Sequence, residues 1–249
     1  TIYYNNNNIA EDALLTLKNE GCNTIRIRLW HTPTVNQSGF NEVKSLAQRV
    51  KNHGMKVWLS VHYSDTWADP GNQEKPSAWD GLTFMQLKTQ VENYTATIVN
   101  EIQPDIFQIG NEINNGFIYP DGNLESNETQ FLSLLASAST VIRTNRPATK
   151  IMLHYAGITG ASWFFSKTAA IDYDYIGLSY YPVWHGKNLS GRLWRVSQAA
   201  PSDRGGVVRP DGWHPPGNEG CRPARAGRTG PPHGIFGHGW RLLAQVRAE

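Results

Sequence analysis

Five times in succession this chain passes from a helix-spaced segment into a short run where aliphatic and polar residues alternate, and the first two links are closed by glycine. That order constrains the fold more than any single residue, because a helix between two strands returns the chain to the same end of the sheet and makes the strands parallel. Residues 11–20 place Ala13, Leu14 and Leu17 on one helical face before Gly21, the glycine sitting where a helix needs a left-handed residue to stop. From Thr24 to Trp30, Ile25, Ile27 and Leu29 take one face, and Arg26, Arg28 and Trp30 the other. Phe40–His53 with Gly54 predicts a second capped helix. Lys56–His62 predicts a second strand, with Val57, Leu59 and Val61 opposite Trp58, Ser60 and His62. Leu82–Ile102, Asn127–Asn145 and Trp163–Ala170 read as further helices. Ile106–Glu112, Lys150–Tyr155 and Tyr173–Pro182 read as the strands that follow them.

The third strand is expected to deliver chemistry. Asp105–Ile113 reads DIFQIGNEI, an apolar run ending in Gly110, Asn111 and Glu112, as a buried parallel strand does when it brings an acid to the mouth of a barrel. Alternation puts Ile106, Gln108, Gly110 and Glu112 on one side, the side that also receives Arg28 and His62. Glycine at 110 is expected to let a substrate or a neighbouring strand approach closely, and Asn111 to bond a sugar hydroxyl. A long polar stretch, Tyr63–Asp80, carries Asp65, Trp67, Asp69, Pro70, Gly71, Pro76 and Trp79 and suits a binding loop above the strand ends.

Bulk properties narrow the partners. With 23 Lys and Arg against 21 Asp and Glu, the formal charge of +2 is too balanced for a nucleic-acid binder. No run is apolar enough to cross a bilayer, and the first residues lack a signal-peptide pattern, so a soluble chain starting as a mature or truncated product is expected. Two cysteines, Cys22 and Cys221, define neither a disulfide framework nor a metal site, and no clustered carboxylates suggest a metal, so no cofactor is expected. The 9 Trp and 10 Tyr often stand beside Asp, Asn, His or Ser, as in Tyr63–Trp67, a pairing that suits sugars, whose apolar faces stack on rings while polar neighbours take their hydroxyls.

Beyond about Ser190 the composition turns to Arg, Gly, Pro and Ala. No Tyr follows Tyr181 and no Lys follows Lys187. Residues 191–249 are therefore expected to be an irregular tail behind a domain of residues 1–190, its apolar periodicity lost apart from a few residues such as Leu242, Leu243 and Val246. The switch from residues with AT-rich codons to residues with GC-rich ones suggests a frameshifted or spliced-on segment. An intact frame in independent copies of the encoding DNA would refute that origin. A genuine Gly/Pro-rich linker is the alternative, which Trp194, Trp213 and Trp240 do not suit well.

The segments IRIRLW (25–30), HYSDTWADPG (62–71), QIGNEINNG (108–116) and IGLSYYPVWHGK (176–187), in this order and spacing, resemble glycoside hydrolase family 53, the arabinogalactan endo-β-1,4-galactanases. The resemblance covers about residues 1–190. It implies a (β/α)8 barrel of the α/β class, incomplete here because a first strand ahead of Ile2–Tyr4 and the last two strands are not recognisable. It further implies retaining cleavage of β-1,4-galactan with Glu112 as acid/base. Arg28, His62, Asp65, Trp67, Asn111 and Tyr181 would line or support the sugar subsites, and the chain would act as a secreted monomer on a polysaccharide, with no membrane or nucleic-acid partner. The family's nucleophilic Glu belongs to a later strand that nothing after Asn188 matches, and Glu219 has no apolar strand leading into it. Little or no turnover, or an inactive galactan-binding remnant, is therefore expected. An inverting pair of Glu112 and Asp65 is the alternative that the resemblance argues against.

Overall fold

A computed structural model describes residues 3–4, 7–180 and 243–245. A two-residue antiparallel ribbon, β1 (Tyr3–Tyr4) with β2 (Ala10–Glu11), precedes the alternating part. There α1 (Ala13–Asn19) leads to β3 (Thr24–Leu29), α2 (Phe40–Asn52) to β4 (Lys56–Val61) and α3 (Phe84–Glu101) to β5 (Ile106–Ile109). Then α4 (Glu128–Asn145) leads to β6 (Lys150–Ala156) and α5 (Ala161–Lys167) to β7 (Tyr175–Ser179). These strands pair in sequence order and in parallel, as the alternation requires. A further strand, β8 (Leu243–Gln245), adds parallel to β3, so the sheet order is β7-β6-β5-β4-β3-β8. Apart from β8, the expected tail lies outside the described residues.

The helix ends follow from local chemistry. Asp12 caps α1 by accepting from the Leu14 N–H at 2.9 Å, and the helix closes when Gly21, at φ +91°, lets the Cys22 N–H reach back to the Leu17 carbonyl. Gly54 ends α2 in the same way. Thr83 and Gln86 form a reciprocal capping box at the start of α3.

The aliphatic faces of the strands meet the helices. Ile25, Ile27, Leu29, Val57, Leu59, Val61, Phe107 and Ile109 are buried against Val43, Val50, Leu87, Val91, Ile98 and their neighbours, each side chain contributing on the order of 1.5–3 kcal/mol. Below the sheet, two aspartates repeat one device. Asp105, just before β5, accepts from the Val57 N–H of β4 at 2.8 Å, and Asp174, just before β7, accepts from the Ile151 N–H of β6 at 2.8 Å. Arg143 grips Asp172 and Asp174 from α4, tying that end of the sheet to the helix layer.

Several expected boundaries shift. β5 stops at Ile109 instead of running to Glu112, because Gly110 (φ +72°) and Glu112 (φ +51°) are left-handed and turn the chain out of the sheet. The turn itself requires glycine at 110, where a Cβ would lie 2.4 Å from Ile113 Cγ2. α5 and β7 are shorter than expected, Ala161–Lys167 and Tyr175–Ser179.

Candidate functional site

The polar faces of β3, β4 and β5 converge on Arg26. Its Nη2 donates to Ser60 Oγ at 3.1 Å, to Gln108 Oε1 at 3.0 Å and to Asn111 Oδ1 at 2.8 Å, while the guanidinium lies 5.0 Å from the Trp58 ring centre. Gln108 completes the mesh, donating to Ser60 Oγ and the Gly110 carbonyl. Asn111 therefore has its oxygen committed to Arg26 and Gln108. One amide hydrogen goes to the Ala68 carbonyl at 2.7 Å, and among the described residues no acceptor is seen for the other.

Glu112 follows Asn111 at the carboxyl end of β5, half-buried and in the left-handed region. Its neighbours hold that strained backbone. Gln73, from the long loop, donates Nε2 to the carbonyls of Asn111 (2.8 Å) and Glu112 (3.2 Å). The Glu112 N–H donates to His154 Nδ1 at 3.2 Å and the Ile113 N–H to the His154 carbonyl at 3.0 Å. Ser179, at the end of β7, donates its hydroxyl to Glu112 Oε1. A left-handed non-glycine residue fixed from three directions is typical of functional sites.

His154 and His62 are neutral for a shared reason. Burial first, then the positive charge of Arg26, lowers His154 to about 3; burial, Arg26, Arg28 and His154 together hold His62 well below the usual histidine range. His62 Nδ1 accepts from the Ala68 N–H at 3.0 Å, which places its proton on Nε2. The ring sits 5.2 Å from the ring of Trp67. Arg28 lies between the Trp30 and Trp67 rings, 4.7 and 5.9 Å from their centres, and donates Nε to Ser38 Oγ.

The long loop is anchored by Asp65. One carboxylate oxygen accepts from the Thr32 N–H at 2.9 Å, and the other from the N–H and hydroxyl of Ser77 at 2.9 and 2.8 Å. This bonding ties Asp65 to the neighbouring loops as an anchor. Lys75 joins Asp121 at 2.8 Å, and the Tyr119 N–H donates to the Gln73 carbonyl, so the loops after β4 and β5 support each other.

Of the expected residues, Arg28, His62 and Trp67 thus form one cluster, Asn111 belongs to the mesh beside Glu112, and Asp65 braces the loop. Tyr181 lies outside the described residues, as does the tail in which a second carboxylate was sought. Sequence reasoning gave no role to Gln73, Gln108 or Ser179. Parity had a signal for the last two, since Gln108 shares the face assigned to Glu112 and Ser179 shares its parity with Gly177 and Tyr181. Gln73 had none, being one polar residue in a polar loop.

Comparison with known proteins places this geometry. The model of glycosyl hydrolase family 53 matches residues 1–198. The endo-beta-1,4-galactanase of Bacillus subtilis is 32% identical over 215 residues, 78% of this chain and 49% of the relative. The arabinogalactan endo-beta-1,4-galactanase A of Emericella nidulans is 35% identical over 201 residues, 74% of this chain and 57% of its own. The solved catalytic domain of the family from Ignisphaera aggregans superimposes with a TM-score of 0.73 at 34% identity, covering 80% of this chain and 59% of that one. This chain spans about half the length of the curated relatives it matches. The described parallel sheet is accordingly part of a (β/α)8 barrel, with the site at the carboxyl ends of its strands.

Proposed function

We propose that this chain, which belongs to glycosyl hydrolase family 53, is built for retaining, endo-acting cleavage of β-1,4-galactan, with Glu112 as the proton donor and acceptor. The observation that carries the reading is Glu112 itself, an acid held at the carboxyl end of a barrel strand beside Asn111 and Arg26, in a chain whose relatives are named galactanases. In such a reaction Glu112 gives its proton to the leaving glycosidic oxygen while a second carboxylate attacks the sugar; it then takes a proton from the water that releases the product. Arg28, His62 and Trp67 would form a subsite wall, with the second amide hydrogen of Asn111 and the Nε2–H of His62 directed to hydroxyls. Tyr181 would line the same cleft, and Asp65 would act by fixing the loop.

The second carboxylate belongs to a later strand, and no residue after Asn188 matches the motif that would supply it. We therefore propose turnover well below that of an intact relative. The second reading, a barrel that binds galactan without cleaving it, is favoured by that same feature. Residues 1–190 would form the catalytic unit, acting as an extracellular monomer on arabinogalactan side chains.

Migration in galactan-containing gels and reducing-sugar release from potato galactan separate these readings. Retardation with slow release that Glu112→Gln abolishes is the expected result. Retardation without release favours the binding remnant. Turnover at an intact relative's rate would overturn the impairment, and retardation by xylan or mannan but not galactan would overturn the substrate.

A further inference from the structure

We propose that Ser179 and His154 are positioning residues that commit one oxygen of Glu112 to the protein and reserve the other for the sugar. The inference rests on the reading of Glu112 as acid and base, and it comes from a closed circuit of three hydrogen bonds. A backbone N–H can only donate, so the bond from the Glu112 N–H to His154 Nδ1 makes that nitrogen an acceptor. A neutral imidazole accepting at Nδ1 carries its proton on Nε2. That nitrogen stands 3.3 Å from Ser179 Oγ and donates to it. With one lone pair so engaged, the Ser179 hydroxyl turns its own hydrogen outward and gives it to Glu112 Oε1. The circuit thus runs in one direction, from the backbone of Glu112 through the imidazole and the hydroxyl to its own carboxylate.

The circuit decides which carboxyl oxygen reacts. Oε1 is an acceptor from the protein, so the exchangeable proton of the acid belongs on Oε2, and the carboxyl plane cannot rotate without breaking the bond to Ser179. His154 suits this task because it is only 5% exposed and stays neutral; a protonated imidazole would donate at both nitrogens and break the bond at Nδ1. The register of the neighbouring strand preserves the geometry. Gly177 pairs with His154 and Ser179 with Ala156, and a Cβ on Gly177 would lie 2.9 Å from His154 Cδ2. Glycine at 177 therefore leaves the imidazole its place, two residues before the serine that it contacts.

Nitrogen-15 spectra of the histidine rings in the full chain test the circuit directly. His154 should show the Nε2–H form alone between pH 7 and pH 5, with an Nε2 proton that exchanges slowly with water. Ser179→Ala should shift the Nε2 resonance and speed that exchange by about tenfold, and Ser179→Thr should restore both. Glu112→Ala removes the acceptor at the other end and should perturb the same resonances, which keeps the test open should Ser179→Ala fold poorly. An Nδ1–H form, a tautomer mixture, or rings unchanged by both alanine variants overturns the proposal. On galactan, Ser179→Ala should lower kcat about tenfold with KM within about twofold, and threonine should recover the loss. A parallel rise in KM with kcat unchanged would overturn the positioning role. A chain that releases no sugar overturns the hydrolytic reading instead, while the His154 spectra still decide the circuit.

Discussion

Arg26 donates to three side chains, Ser60 of β4 and Gln108 and Asn111 at the end of β5, which makes it the residue whose loss the site would feel most widely. Arg26→Met leaves Asn111 Oδ1 and Ser60 Oγ short of a partner in a buried mesh, and should cost about 2–3 kcal/mol. Urea denaturation measures that cost, and a midpoint unchanged from the parent would refute the hub. Arg26→Lys keeps the charge but not the planar group whose Nε and Nη2 together engage these acceptors, so most of the loss should remain. At this scale much was legible. Alternation placed Arg26 and Arg28 on the polar face, and the abrupt end of an apolar run singled out Asn111 and Glu112. The partners were not legible, because Gln73 and Ser179 lie 39 and 67 residues from Glu112 in sequence and only the fold brings them near.

The elements owe their limits to backbone chemistry that sequence shows unevenly. The C-terminal caps were visible as glycines after apolar periodicity, whereas the box of Thr83 with Gln86 three residues on emerged only from the structure. Thr83→Ala should lower stability by about 1 kcal/mol, read as a fall in the thermal midpoint with the native spectrum unchanged. The turn that ends β5 was not visible. Period-two alternation continues formally through Glu112, and nothing local announces that two left-handed residues break it. In the following loop, Gly116 stands at φ +106°, and a Cβ there would lie 2.0 Å from the Gly122 carbonyl oxygen. Gly116→Ala should therefore destabilise by about 3 kcal/mol, since backbone rather than a movable side chain must yield; equilibrium unfolding checks this.

Across the whole molecule, two buried neutral histidines couple the fold to pH. An unfolded histidine binds a proton below about 6.5, whereas His154 does so only near 3 and His62 well below its usual range. The folded chain thus carries fewer protons than the unfolded one in this window. Their contribution is fully present above pH 6.5 and is lost as pH falls through it. Asp174 adds to the trend at the acid end. Burial raises it, but the Ile151 N–H, Arg143 and Lys150 outweigh burial and hold it below the ordinary value of 3.8, so its contribution is lost as pH falls below that value. Urea midpoints should drop steadily from pH 7 to pH 4.5, and less steeply in His154→Asn; a flat profile would refute the neutral histidines. The order of strands and helices, the aliphatic faces that join them and the acid at a strand end were determined by sequence alone, because periodicity and caps are local properties of the chain. Tertiary structure decided which oxygen of Glu112 is held and what holds it, because that circuit exists only where β5, β6 and β7 lie side by side.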